Sequence, residues 1–173
     1  MIPKVIAIVA MDEARVVGND GKIPWHHPED LKRFSRLTTG HVVLMGRKTF
    51  DSLPKAFRPL PNRQNVVISR NQSAFSESIN SCTSEVTFQN DPVEFIKSCK
   101  RGDVDIAAGL VWIAGGGEIY RLTMPFWDEV QLTLIEGRHC GDTFFPEFES
   151  EFSIVSEESG PKCKYLHFIR KSK

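Results

Sequence analysis

The 173-residue sequence has no excess of either charge and few cysteines. Its 22 Lys and Arg residues are matched by 22 Asp and Glu residues, so the formal net charge is zero. Non-specific nucleic-acid binding needs a concentrated basic surface, so this balance argues against a nucleic-acid partner. The four cysteines, Cys82, Cys99, Cys140 and Cys163, form no C-x-x-C pair. We therefore expect no zinc site, no redox pair and no disulfide framework, and a reduced, cytoplasmic protein.

Long apolar runs are also missing. The longest, Val5–Met11, is too short to cross a bilayer and lacks the layout of a signal peptide, so we expect no membrane partner. Apolar residues make up 40% and charged residues 25%, which is typical of a folded globular domain and argues against disorder. A chain of this length can bury one sizeable core, so we expect a single domain over residues 1–173.

Apolar β-rich runs alternate with amphipathic segments, which predicts an α/β fold. The expected architecture is a mixed, mostly parallel sheet of eight strands flanked by four helices, with a C-terminal antiparallel hairpin turning at Gly160-Pro161. The irregular stretches Asp12–Pro24 and Asp51–Arg63 are typical of ligand-binding loops. The predicted strands are Val5–Met11, Val42–Met45, Asn65–Ser69, Val86–Phe88, Leu110–Ala114, 129–136, Ser153–Val155 and Lys164–Arg170. The predicted helices are Pro28–Leu37, Lys48–Leu53, one from the Asp91 cap through Lys100, and Glu118–Thr123.

Two adjacent acids, Glu29 and Asp30, begin the first predicted helix. Asp30 lies at i, i+4 and i+7 with Phe34 and Leu37, on the apolar face of the helix, whereas Glu29 is spaced to pair with basic residues on the solvent face. Asp30 is therefore the carboxylate directed inward, and buried carboxylates often mark functional sites. A plain helix-capping role for Asp30 is the alternative.

The tandem His26-His27 precedes this helix without a carboxylate or cysteine at ligand spacing. We therefore interpret both histidines as loop or cap residues and expect no metal.

The segment Gly40–Thr49 superficially matches a phosphate-binding P-loop. Five residues rather than four separate its glycines, and an arginine precedes Lys48, so the spacing argues against a nucleotide kinase. What remains is a strand, a turn at Gly46 and a basic helix start, which could hold an anion. Similarly, Gly115–Gly117 lies between a strand and a helix but lacks the dinucleotide fingerprint.

In combination these motifs resemble the dihydrofolate reductase family, in the same order and over nearly the whole chain. The resemblance implies the eight-stranded fold above and NADPH-dependent reduction of 7,8-dihydrofolate to 5,6,7,8-tetrahydrofolate in one-carbon metabolism, with antifolates as inhibitors. The matching residues are Val17-Gly18, Ile23-Pro24-Trp25, Pro28 with Asp30, Met45–Thr49, Arg58–Asn65, Gly115–Gly117, Leu132-Thr133, Gly141-Asp142-Thr143 and Phe145-Pro146.

The resemblance also implies a set of site residues. Asp30 would accept hydrogen bonds from the pterin with support from the Thr133 hydroxyl, and Trp25 belongs with this catalytic group. Arg63 would bind the α-carboxylate of the substrate's glutamate. The remaining substrate contacts would be Ala7, Ile8, Leu31, Phe34 and Leu60. The cofactor contacts would be Gly18, Ile23, Gly46, Arg47, Lys48, Thr49, Ser69, Arg70, Ala114, Gly115, Gly116, Gly117 and Tyr120, with Gly115-Gly116 commonly joined by a cis peptide.

The implied chemistry transfers a hydride to C6 of the pterin while N5 gains a proton from water, with Asp30 tuning the pterin. Glu13-Ala14, His26–Glu29 and Arg101–Gly109 depart from the family pattern. Two further alternatives stay open: a riboflavin-pathway pyrimidine reductase of the same fold, and a non-catalytic pterin- or nucleotide-binding relative. We expect a monomer.

Overall fold

The computed structural model describes residues 2–71, 86–106 and 109–172. Its main sheet has eight strands in the order β5-β4-β3-β6-β1-β7-β10-β9, which confirms the predicted sheet. All neighbours from β5 to β7 are parallel, while β7, β10 and β9 pair antiparallel. These eight strands are β1 (Lys4–Asp12), β3 (Val42–Gly46), β4 (Gln64–Ile68), β5 (Val86–Gln89), β6 (Leu110–Ile113), β7 (Glu129–Ile135), β9 (Phe152–Gly160) and β10 (Cys163–Arg170).

Four α-helices lie in the described ranges, and each begins within one residue of its predicted start. The second predicted segment begins at Arg47 rather than Lys48. The helices are α1 (Pro28–Thr38), α2 (Arg47–Ser52), α3 (Pro92–Arg101) and α4 (Gly117–Thr123), with 3₁₀ turns at Lys55–Phe57, Met124–Phe126 and Glu149–Glu151. None of these helices is long and apolar enough to cross a bilayer.

The sheet is covered on both faces, which explains the continuous apolar runs of its central strands. On β1, Val5, Ala7 and Val9 belong to one core cluster, and the intervening Ile6 and Ile8 belong to the other. Side chains of a strand alternate between faces, so one run of residues serves both cores. Phe34 and Leu37 of α1 pack against the second cluster, as their spacing predicted.

Two strand predictions were wrong. Asp12–Pro24 is not wholly irregular, because β2 (Val16–Gly18) pairs antiparallel with β8 (Thr143–Phe144). Strand β9 extends well beyond the predicted Ser153–Val155 and is mostly exposed. Its run of Ser and Glu residues has no apolar alternation to signal a strand, and pairing with β10 supplies the hydrogen bonds instead.

The described cysteines, Cys99, Cys140 and Cys163, are free thiols, whereas Cys82 lies outside the described residues. Cys140 is exposed and Cys163 is buried. Within the described part of the chain, no group of His, Cys, Asp and Glu residues is suited to hold a metal ion.

Candidate active site

Asp30 is held at the start of α1 by a residue from the middle of the sheet. The Thr133 hydroxyl on β7 donates a hydrogen bond of 2.5 Å to Asp30 Oδ1. Glu29 points outward and pairs with Lys32 at 2.9 Å. Asp30 is half-buried, so its remaining lone pairs stay accessible beside an apolar wall. The structure thus places the two acids as their helical spacing predicted.

Apolar side chains surround this carboxylate on the face covered by α1. Ile8 and Leu60 are buried, and the half-buried Phe34 packs against their cluster, whereas the buried Ala7 belongs to the other core cluster. Leu31 keeps 55% of its surface exposed, on the turn that follows Asp30. An exposed leucine beside a half-buried carboxylate offers a planar heterocycle both apolar contact and a hydrogen-bond acceptor.

Arg63 is a buried guanidinium without a counter-ion among the described residues. Its side chain lies 5.7 Å from the Phe34 ring centroid, and Nη2 donates to the hydroxyls of Ser35 at 2.9 Å and Thr39 at 3.1 Å. Its buried Nε has no partner. Burial lowers the pKa of Arg63 from its usual value. A buried charge without a counter-ion is costly, so this geometry suits a ligand carboxylate.

Ser35 and Thr39 are site residues that the sequence did not reveal. Ser35 lies in the last turns of α1 and Thr39 is its C-cap, and together they orient Arg63 from the helix side. Hydroxyl residues four apart on a helix are common, so only the position of Arg63 in the fold gives the spacing its meaning.

A second group of predicted residues lies where β3, β4 and β6 end. Gly46 of β3 is opposite Ile68 of β4 in parallel register, so Arg47 and Arg70 leave the sheet at the same edge. Helices α2 and α4 both follow glycine N-caps, Gly46 and Gly116, that provide no side-chain cap. Their first backbone N–H groups are therefore available to an anion.

Glycines at this edge let the backbone segments approach closely. Gly115, joined to Gly116 by a cis peptide, has a φ of 105° and accepts a 2.8 Å hydrogen bond from the Gly46 amide. A Cβ at Gly117 would lie only 2.9 Å from the Thr143 side chain. Residues with a side chain therefore fit poorly at Gly115 and Gly117. Nearby, Lys48 is exposed, and Thr49 and Ala114 are half-buried.

The polar side chains at the edge have partners that the sequence did not indicate. Arg47 pairs with Asp51 at 3.1 Å, and the largely exposed Arg70 lies 3.6 Å from Glu118. Ser69 lies just beyond β4, not within the strand as predicted, and its hydroxyl donates to the Asn71 carbonyl.

Tyr120 is buried, and its hydroxyl donates to the Ile8 carbonyl at 2.7 Å. Burial raises the pKa of this phenol. The Tyr120 ring lies against Gly115, where an added Cβ would approach it to 3.2 Å. Tyr120 thus ties α4 to β1 beneath the glycine turn, and a direct role toward a cofactor stays a prediction.

Comparison with known proteins shows which family has this arrangement. Residues 4–170 match the family model described as dihydrofolate reductase. The chain is 37% identical over 172 residues to dihydrofolate reductase of Staphylococcus aureus, covering 95% of this chain and 96% of that protein. It is 38% identical over 158 residues to the Bacillus subtilis enzyme, with 90% and 83% covered. The chain belongs to the dihydrofolate reductase family.

A solved structure, dihydrofolate reductase from Enterococcus faecalis complexed with NADP(H) and RAB-propyl, has the same fold. It superposes with a TM-score of 0.80 at 30% identity, covering 98% of this chain and 97% of that one. The chain is therefore an enzyme that catalyses NADPH-dependent reduction of dihydrofolate to tetrahydrofolate, as the sequence predicted. The pyrimidine reductase, kinase and non-catalytic alternatives receive no support.

The residues at the sheet edge where β3, β4 and β6 end fit NADPH. Two helix starts without side-chain caps converge with Arg47, Lys48 and Arg70. This set combines backbone donors with cationic side chains, which suits a ligand carrying several phosphates.

The loop between β1 and α1 is anchored at its base and at its centre. Gly18 on β2 pairs with Thr143, and the Gly18 carbonyl accepts from the Asp142 amide at 3.1 Å. Asp142 in turn accepts from the Asp20 amide at 2.9 Å. Ile23, further along the loop, keeps 59% of its surface exposed.

Trp25 borders a cavity of about 440 Å³ on the side of the loop that faces β7 and the β9–β10 turn. Its ring meets His139 edge-on, with the centroids 5.1 Å apart. Neither Asp30 nor Arg63 lines this cavity, and the place of Trp25 in the catalytic group stays a prediction. Its lining residues are Trp25, His26, His27, Ile135, Glu136, Gly137, His139 and Lys162.

Proposed function

We propose that Asp30 binds the pterin edge of dihydrofolate and that Arg63 binds the carboxylate of its glutamate tail. The observation that carries this assignment is that both charged groups have hydrogen-bonding capacity that the protein leaves unused. Asp30 has one hydrogen bond from Thr133, and Arg63 has a buried, unpartnered Nε. A ligand with an amidine-like edge and a distant carboxylate complements both charges.

In the proposed mechanism the protein orients the substrate and shapes its electrostatics. The hydride for C6 of the pterin comes from NADPH when the cofactor is bound. The Asp30 carboxylate, oriented by Thr133, accepts hydrogen bonds from the amino and ring N–H groups of the pterin. Ile8, Phe34 and Leu60 wall the ring, Leu31 covers its edge, and Ala7 lines the pocket from β1. Water delivers the proton to N5.

For the cofactor we propose two kinds of contact. Backbone amides after Gly46 and Gly116 hold phosphate oxygens, with Lys48 and Thr49 beside them. Arg47 and Arg70 neutralise the 2′-phosphate, which is the feature that separates NADPH from NADH. Ile23 and Gly18 of the loop, with Ala114 and Gly115, line the nicotinamide end.

The test compares dihydrofolate with a dihydropterin that lacks the aminobenzoylglutamate tail, following the loss of NADPH absorbance. We expect removal of the tail to raise KM strongly in the native enzyme and to have little further effect in an Arg63→Ala variant. If both enzymes discriminate equally, Arg63 does not bind the tail.

We also propose that the chain acts as a single-domain monomer in the cytoplasm and is inhibited by antifolates. The free thiols Cys99, Cys140 and Cys163 agree with a reducing compartment. Light scattering coupled to size exclusion tests the monomer, and a second copy per particle would contradict it.

A further inference from the structure

His27 contacts Asp30 although the roles proposed above do not include it. It is the N-cap of α1, and its Nδ1 accepts the backbone N–H of Asp30 at 3.2 Å. Its other ring nitrogen, Nε2, lies 2.8 Å from the carbonyl oxygen of Pro161 in the turn between β9 and β10. Imidazole is uncommon as a helix cap, where Ser, Thr, Asp and Asn are preferred.

The two partners together determine the state of the His27 ring. A backbone N–H can only donate, so Nδ1 must be unprotonated, and a carbonyl oxygen can only accept, so Nε2 must carry the proton. The geometry therefore requires a neutral imidazole in a single tautomer. A second proton would place an N–H at Nδ1 directly opposite the N–H of Asp30, which would then keep only its 3.1 Å hydrogen bond to the His27 carbonyl.

The contacts of His27 close a ring of interactions around Asp30. Pro161 precedes β10, which pairs with β7 so that Tyr165 lies opposite Thr133. Thr133 in turn holds the Asp30 carboxylate. The backbone of Asp30 is thus tied through His27 to the turn before β10, and its side chain through Thr133 to β7, the strand that pairs with β10.

We propose that neutral His27 is a positioning residue for Asp30, so that protonation of this ring weakens dihydrofolate reduction. The cap fixes the peptide that bears the carboxylate, while the bond to Pro161 keeps the start of α1 against the hairpin. This inference rests on the proposed role of Asp30 and adds a pH-sensitive component to it.

Several other charged or ionisable groups lie around His27. Glu29 and Asp30 belong to the same helix, and His26 precedes it. Three more line the cavity beside the ring: Glu136 and His139 from the segment after β7, and Lys162 from the hairpin turn. A useful experiment must therefore change His27 alone and compare enzymes that share every other group.

The chain offers a matched set of variants. His27→Asn keeps an N-cap acceptor that cannot be protonated, and His27→Leu removes the acceptor. His26→Asn is the control, since His26 is an exposed neighbouring imidazole whose ring forms no hydrogen bond to another described residue. For each enzyme, kcat/KM for dihydrofolate is measured from pH 5 to 8 at saturating NADPH, with circular dichroism at each pH to verify folding.

At the alkaline end of this range we expect native enzyme and His27→Asn to agree, because neutral imidazole and asparagine both offer an acceptor to the Asp30 N–H. Toward pH 5 the native kcat/KM should fall about 3- to 30-fold relative to His27→Asn, the range expected for loss of a helix cap. His27→Leu should be low at every pH, and His26→Asn should follow the native profile.

A nitrogen-15 spectrum of histidine-labelled enzyme gives an independent measurement, with a proton on Nε2 and none on Nδ1 of His27 expected at pH 7.5. A flat native-to-Asn ratio from pH 5 to 8, or a proton on Nδ1, would overturn the proposal. Asp30→Asn, assayed in parallel, separates the two ideas. If that variant keeps full activity, the proposed function of Asp30 fails, whereas a flat ratio with an inactive Asp30→Asn enzyme rejects only the role of His27.

Discussion

Two carboxylates near the ends of the β1–α1 loop differ in how completely the protein satisfies them. Asp12, at the end of β1, is fully buried. Its Oδ1 accepts from the amides of Ala14 and Val16, each at 2.9 Å, and its Oδ2 accepts from the amide and ring of His139 at 2.6 and 3.1 Å. Asp30, at the start of α1, is half-buried and accepts from Thr133 alone among the described side chains.

Two arginines repeat this contrast. Arg170 donates to the carbonyls of Trp127 and Met124, each at 2.6 Å, and pairs with Glu151. Arg63 has two hydroxyl partners, no carboxylate in the described structure, and a free buried Nε. Burial alone therefore does not identify a functional charge. What distinguishes Asp30 and Arg63 is that the protein leaves part of their hydrogen-bonding capacity unused.

The largest expected effect is on catalysis, in Asp30→Asn. Loss of this charge should reduce kcat/KM by ~10²–10³, as for other electrostatic contacts in active sites. Because Asp30 is only half-buried and has one side-chain partner, the melting temperature should change little. The control is Glu29→Gln, which removes the adjacent exposed acid. Greater damage from that control would show that the wrong carboxylate has been assigned.

The matching change at the satisfied carboxylate, Asp12→Asn, should affect stability instead. Burial alone raises the pKa of Asp12, but the hydrogen bonds from His139, Val16 and Ala14 outweigh it and hold the pKa below its usual value. We expect a loss of about 1.5–3 kcal/mol at neutral pH, since hydrogen bonds to a charged group have this magnitude.

The pH dependence of this stability has a definite sign. A lowered folded pKa stabilises the protein above the unfolded pKa of Asp, about 3.9, and this stabilisation is lost as the pH falls through the folded value. Urea unfolding should therefore show the native and Asp12→Asn curves converging below about pH 4. Asp105→Asn, at an exposed position, is the control and should match the native protein throughout.

Substitution of Arg63→Lys should weaken dihydrofolate binding by roughly 10- to 100-fold, because lysine cannot form a bidentate contact with a carboxylate. A diaminopyrimidine without a tail should bind nearly as before. Fluorescence titration of both ligands measures the difference, with Arg36→Lys as the control on the exposed side of α1. Equal losses for both ligands would place Arg63 near the pterin instead.

The smallest effects are expected at the exposed cofactor edge. Arg47→Ala and Arg70→Ala should each raise KM for NADPH by about tenfold and leave KM for NADH unchanged. The nearby Asp51 and Glu118 already offset part of each charge, and added salt should reduce the difference further. Arg121→Ala, on the exposed side of α4, is the control. A parallel loss for NADH would assign these arginines to the pyrophosphate or the fold.

Local pattern and motif order determined most of the fold and the family of this protein. Continuous apolar runs identified the buried parallel strands because side chains on both faces of β1 and β3 enter a core. Helical spacing separated Asp30 from Glu29 because residues three and four apart share a face. Strand β2 and most of β9 were not predicted, because their pairing with β8 and β10, not their composition, makes them strands.

Only the tertiary structure decided which charged groups are satisfied and which stay open. Asp12 and His139 are 127 residues apart, Asp30 and Thr133 are 103 apart, and His27 and Pro161 are 134 apart. No periodicity extends over such separations, because register between strands and the path of the loops set them. The sequence was enough to indicate Asp30 and Arg63 as candidates. Their unused hydrogen-bonding capacity, which suits them to a ligand, depends on which residues the tertiary structure places around them.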